Sequence, residues 1–200
     1  MDWHVLLLTF ALIFPVELPD KTFIAALVLS TRYRPLAVWI GVGLAFGVQS
    51  VVAVTAGQAV SYLPRWVVDI ISTAMFAIGA FVLFREAPHA DADEKTTEEE
   101  YGRKVSKDVH GIRIVITSFL VLFAAEWGDL SQLLTLNIVA KYGAPVSAFA
   151  GSWAALLAVS GIAVVAGQFL LRHIRLSVIH YFAGVVCLVF VGIGLFHLTT

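Results

Sequence analysis

Six apolar stretches, 3–30, 36–60, 66–84, 112–140, 145–171 and 177–198, take up nearly all of this 200-residue chain. Each has at least 19 residues. At about 1.5 Å per residue, that length crosses the roughly 30 Å of hydrocarbon in a bilayer. Hydrophobic residues make up 60% of the composition and charged residues 14%, which defines an integral membrane protein. The expected fold is all-α, with six transmembrane helices. A first three-helix unit at 1–84 is joined to a second at 112–200 by a polar linker, 85–111, leaving no segment of these residues for a soluble catalytic domain.

Basic residues set the expected orientation. The segments 31–35, 85–111 and 172–176 fall on one side of such a bundle, and together with Arg113 they hold ten Lys or Arg, against Arg65 and Lys141 opposite. By the positive-inside rule the linker is cytoplasmic and both termini are outside, as in a bacterial plasma membrane. The eight acids of the linker count little in this rule, and the short loops with Arg32, Arg34, Arg172 and Arg175 agree with it. The first stretch lacks a basic n-region and carries Glu17 and Asp20, so it reads as a span rather than a cleaved signal. Cys187 alone cannot form an intrachain disulfide.

Two short motifs interrupt the apolar pattern. ELPDKT, residues 17–22, is matched by EWGDLS, residues 126–131, with Glu17 and Glu126, Asp20 and Asp129, and Thr22 and Ser131 all offset by 109. TRYRP at 31–35 answers AKYGAP at 140–145, and AGQ at 56–58 answers AGQ at 166–168. Three spans per copy force the second copy to enter the membrane from the opposite face. The chain is therefore expected to be two inverted three-helix repeats, a layout whose binding sites lie near the midplane between the repeats. Within a continuous helix each Glu and its Asp would share one face with Lys21, and Thr22 would turn away. Pro19, with Pro15, and Gly128 in the second copy argue for a broken helix instead, with freed carbonyls beside the acids.

Four carboxylates at mid-span are hard to explain as helix locks. Each central charge costs about 2.5–3.5 kcal/mol on the insertion scale, so four cost on the order of 10 kcal/mol, and Lys21 neutralises only one. Their formal charge calls for a divalent cation, with protons at vacant positions. The donors are hard oxygens: Glu17, Asp20, Glu126 and Asp129, the hydroxyls of Thr22 and Ser131, and as further pocket lining the amides of Gln49, Gln58, Gln132 and Gln168. Such a set suits calcium, magnesium or manganese. No histidine joins a motif. The linker is low in apolar residues and reads as solvated. Its DADE run lacks the Gly and Glu of a calcium loop, which would be needed where Thr96 and Gly102 stand.

The paired E-x-x-D-x-T/S motifs, the three-plus-three layout and the acidic central loop resemble the family of transmembrane protein 165 and its yeast relative Gdt, in the lysine-exporter superfamily. Pro19 stands where that family's first motif has Gly, and Leu130 where its second has a base. The resemblance implies export of manganese or calcium in exchange for protons, with Glu17, Asp20, Glu126 and Asp129 binding the ion and Thr22 and Ser131 assisting. Lys21 then either pairs with Asp20 until metal displaces it or ties two helices together. Two other functions share these features, a passive divalent cation channel and a non-transporting membrane subunit. With no nucleophile triad, phosphate loop or nucleic-acid patch, an enzyme is not expected. Nor is a resident cofactor, since the metal is cargo.

Overall fold

Helix boundaries follow the caps and breakers of the sequence closely. The computed structural model describes residues 1–18, 21–90, 96, 99, 110–173 and 176–199, the side chains of 166–173, 176, 179 and 197–199 excepted. Among them are eight α-helices: α1 (Trp3–Glu17), α2 (Lys21–Arg32), α3 (Pro35–Val60), α4 (Arg65–Glu86), α5 (Ile112–Ala125), α6 (Leu130–Tyr142), α7 (Pro145–His173) and α8 (Leu176–Thr199). Asp2 opens α1 by accepting hydrogen bonds from the amides of His4 and Val5, at 2.9 and 3.3 Å. Proline begins both α3 and α7, where its missing N–H is no loss. Gly143 closes α6 in the left-handed conformation, φ 63°.

The stretches 3–30 and 112–140 are not continuous helices. Each is a pair, α1 with α2 and α5 with α6, and the second pair is bent by 73°. Among the described residues, α3, α4 and the 145–165 part of α7 are each long and apolar enough to cross a membrane, and the bent pair makes a fourth span if taken together. α1 and the 180–196 part of α8 are shorter apolar helices, so a six-span arrangement is compatible with the fold.

Packing repeats when the halves are exchanged. α1 lies on α7 as α5 lies on α3, and α2 on α7 as α6 on α3. At the first pair of crossings Gly151 sits against the carbonyl of Leu6 and the side chain of Thr9, and Gly41 against Val115 and Ser118. These residues correspond at the offsets of 109 and 110 that relate the motifs. Between α3 and α7 the indole N–H of Trp39 donates to Leu157 O at 3.0 Å and that of Trp153 to Gly43 O at 2.8 Å. One apolar cluster is built mainly from α2, early α3 and mid-to-late α7, and another from α1, α4, α6 and α8. The Asp2 amide donates to Ser147 Oγ at 2.7 Å, so the starts of α1 and α7 share one face of the molecule.

Candidate cation site

α1 ends at Glu17, whose side chain is 1% exposed, and α5 ends at Ala125, followed by Glu126 at 2% exposure. The turn from α5 to α6 is made by Gly128, φ 81°, a conformation that only glycine adopts without strain. Asp129 then caps α6, accepting from the Gln132 amide at 3.1 Å and from Ser131 Oγ at 2.7 Å. Gln132 reaches back across the turn, its Nε2 donating to Glu126 O at 2.9 Å and its Oε1 accepting from the Gly128 amide at 3.2 Å. This reciprocal arrangement is a capping box extended over the break.

Carboxylate oxygens of Glu17, Glu126 and Asp129 all lie within 4.8 Å of one another. Glu17 comes from the first repeat and the other two from the second. Opposed helix ends do this work: a shared helical face does not, because Glu126 terminates one helix while Asp129 begins the next. For Glu126 and Asp129 the broken helix expected from Gly128 is what the structure has; Asp20 of the first motif lies outside the described residues. Ionised carboxylates repel each other by roughly 3 kcal/mol per pair at this range and an effective dielectric near 20. Protons or a cation held among them relieve that repulsion, and the three oxygens are close enough to share one ion.

The remaining expected residues divide into several positions. Asp20 lies outside the described residues, as does the side chain of Gln168. Thr22 is 3% exposed in the first turn of α2, close in sequence to the break. Ser131, also 3% exposed, orients the Asp129 carboxylate. Lys21 is exposed at the start of α2. Gln49 is 2% exposed and donates to Phe123 O at 3.1 Å, holding a carbonyl of the last turn of α5. Gln132 braces the turn beside Glu126, and Gln58 is exposed on the last turn of α3.

Sequence reasoning missed the polar groups next to the acids. Thr135 Oγ1 bonds to Ser131 O at 2.8 Å and Ser152 Oγ at 3.0 Å, and Ser152 lies 3.3 Å from Ser50 Oγ, all of them buried. A hydroxyl within an apolar run gives almost no signal. Ser50 alone carries a weak one, since Ser160 stands at its repeat position.

Comparison with known proteins shows the family. Residues 5–91 and 114–199 match a family model described as the divalent cation/proton antiporter GDT1. The chain is 33% identical over 164 residues to the GDT1-like protein sll0615 of Synechocystis sp., covering 76% of this chain and 80% of that protein. It is 29% identical over 209 residues to Protein PAM71, chloroplastic, of Arabidopsis thaliana, covering 96% of this chain but 56% of that protein, so it spans little more than half of that relative. GDT1-like protein 5 of the same plant is 26% identical over 206 residues, 90% of each chain. No solved structure matches.

Proposed function

The chain belongs to the GDT1 family of divalent cation/proton antiporters, and from that premise we propose that it is a secondary-active exporter of divalent cations, manganese first and calcium second, exchanged for protons. One observation carries the reading: carboxylates from both repeats, Glu17 from one and Glu126 with Asp129 from the other, meet within 4.8 Å at two helix breaks. A hard dication relieves their repulsion through oxygen ligands, and protons relieve it as well. Metal and proton compete for the same oxygens, so the arrival of one releases the other. Antiport then needs no second site.

In this reading Asp20 supplies a fourth carboxylate and Thr22 a hydroxyl, while Ser131 and Gln132 hold Asp129 and the turn. Lys21, exposed at the start of α2 and next to Asp20 in sequence, acts either as a competing cation or as a helix tie. The basic loops orient the chain, with a cytoplasmic linker and both termini outside in a plasma membrane of bacterial type, and outward export follows from the family and the proton gradient of such a membrane. No cofactor takes part. The partners are the cation, the proton and the bilayer.

Protein reconstituted in vesicles tests this. Uptake of Mn²⁺ should be driven by an opposing pH gradient, should itself dissipate that gradient, and should be inhibited by Ca²⁺ more than by Mg²⁺. Metal flux indifferent to the pH gradient would mean a channel, and no flux at all a non-transporting subunit.

A further inference from the structure

The exchange of halves fails at two pairings. α4 packs on α6 and α1 on α8, whereas among the described residues the exchanged pairs, α8 with α2 and α5 with α4, have no comparable packing. The α4–α6 seam is thus closed where its counterpart is not; its inner part is apolar, with Leu130 on Gly79 and Leu134 in the cluster with Phe76, and its outer part is polar. Ser72 donates to Asn137 Oδ1, and Asn137 Nδ2 donates to Ser72 O at 3.3 Å, both side chains being 2–3% exposed. Farther out, Lys141 Nζ lies 3.7 Å from Asp69 Oδ1. Asn137 and Lys141 are four residues apart on α6 and Ser72 and Asp69 three apart on α4, so each pair lines one ridge.

Two cavities follow the same line. A cavity of about 20 Å³, room for a single water, is lined by Ser72, Thr73, Asn137 and Lys141 among apolar neighbours such as Leu12 and Phe190. A wider one of about 520 Å³ is lined by Ser61, Arg65, Asp69, Lys141 and Tyr142. Lys141 lines both. Inward, Asn137 is six residues along α6 from Ser131, a rise of about 9 Å from the acids.

Resting on the transport reading above, we infer that the α4–α6 seam is the route between the acidic site and the face carrying the chain's N-terminus. Ser72 and Asn137 offer the oxygens a partly dehydrated divalent cation meets inside, and the Asp69–Lys141 pair is the clasp that parts at the mouth. Helix adhesion alone does not require this chemistry, since apolar side chains hold such a crossing as well as a hydrogen-bonded pair does. Nor does the repeat: the positions of α2 that answer Asn137 are Val28 at an offset of 109 and Leu27 at 110. A partly exposed ion pair is a weak closure, suited to opening in every cycle.

Two variants test the route. Ser72→Ala/Asn137→Val removes both polar partners together and leaves no orphaned group; Mn²⁺ affinity in detergent should stay within about threefold while flux falls about tenfold, the pattern of a lost transit step. In a Cys187→Ala background, Asp69→Cys/Lys141→Cys bridged by a short bifunctional thiosulfonate should stop flux, and reductant should restore it. Wild-type flux in the first variant, or undiminished flux in protein shown by gel shift to be bridged, overturns the route. If the unaltered protein moves no Mn²⁺, the transport reading fails first, and the route with it.

Discussion

Asp129 has two duties that one substitution separates. As helix cap it needs only an acceptor for the Gln132 amide and Ser131 hydroxyl, and as part of the carboxylate group it needs charge. Asparagine caps about as well as aspartate. Asp129→Asn should therefore keep thermal stability within about 1 kcal/mol yet lose most Mn²⁺ binding, by calorimetry on purified protein. Normal binding would move the site elsewhere. Leu130 invites a different expectation. It occupies the family's second basic position, yet its side chain packs against Gly79 of α4 within the α1–α4–α6–α8 cluster. A lysine there points into apolar packing. Leu130→Lys should cost on the order of 2 kcal/mol in stability and leave affinity per folded molecule nearly unchanged, measured by thermal unfolding with a metal titration.

At the scale of elements, the break between α5 and α6 depends on Gly128 and on Gln132. Gly128→Ala forces an alanine to φ near 81°, so it should destabilise by about 1–2 kcal/mol and loosen the turn that sets Glu126 against Asp129. Metal affinity should fall with stability, whereas Gly151→Ala should lower stability alone. Its added Cβ meets Leu6 O and Thr9 on α1, at the crossing of α1 with α7. Equal affinity losses in both variants would show that general loosening, and not turn geometry, controls the site. Sequence made the motifs, their repeat and the helix-breaking residues legible, since charge and proline stand out against an apolar background. It did not make the bend legible, because a 73° turn is decided by how Gln132 closes over Gly128 and Glu126, and glutamine alone is ordinary on a helix. Asn137 and Asp69 were equally silent: each needs its partner on another helix to gain meaning.

For the molecule as a whole, the question is how two packed halves stay coupled while the seam between α4 and α6 opens. The covalent connection runs through the linker, and two observations limit its part. The family match stops at residue 91 and resumes at 114. Ala87 and Ala90, just before that gap, are buried, Ala90 within the cluster built on α2, α3 and α7. The machinery shared with the family therefore reaches past the end of α4 but not across the acidic run. The sequence reading had treated everything from 85 onward as solvated, and the packing of Ala87 and Ala90 corrects its first residues. Coupling between halves instead falls to helices that contact the opposite repeat, α1 on α7 and α5 on α3, joined at the α3–α7 crossing by the reciprocal bonds of Trp39 and Trp153. Deleting residues 92–104 removes five acids and three bases, a change of two charges, without touching these contacts. Such a deletion should leave Mn²⁺ flux within about twofold in reconstituted vesicles, because a solvated connector supplies no ligand and salt screens its charge over a Debye length of about 8 Å. Extending the deletion back through Ala87 should abolish folding. Loss of flux from the shorter deletion in protein that still inserts and binds Mn²⁺ would make the acidic run a working part of the transporter, feeding or gating the cytoplasmic side.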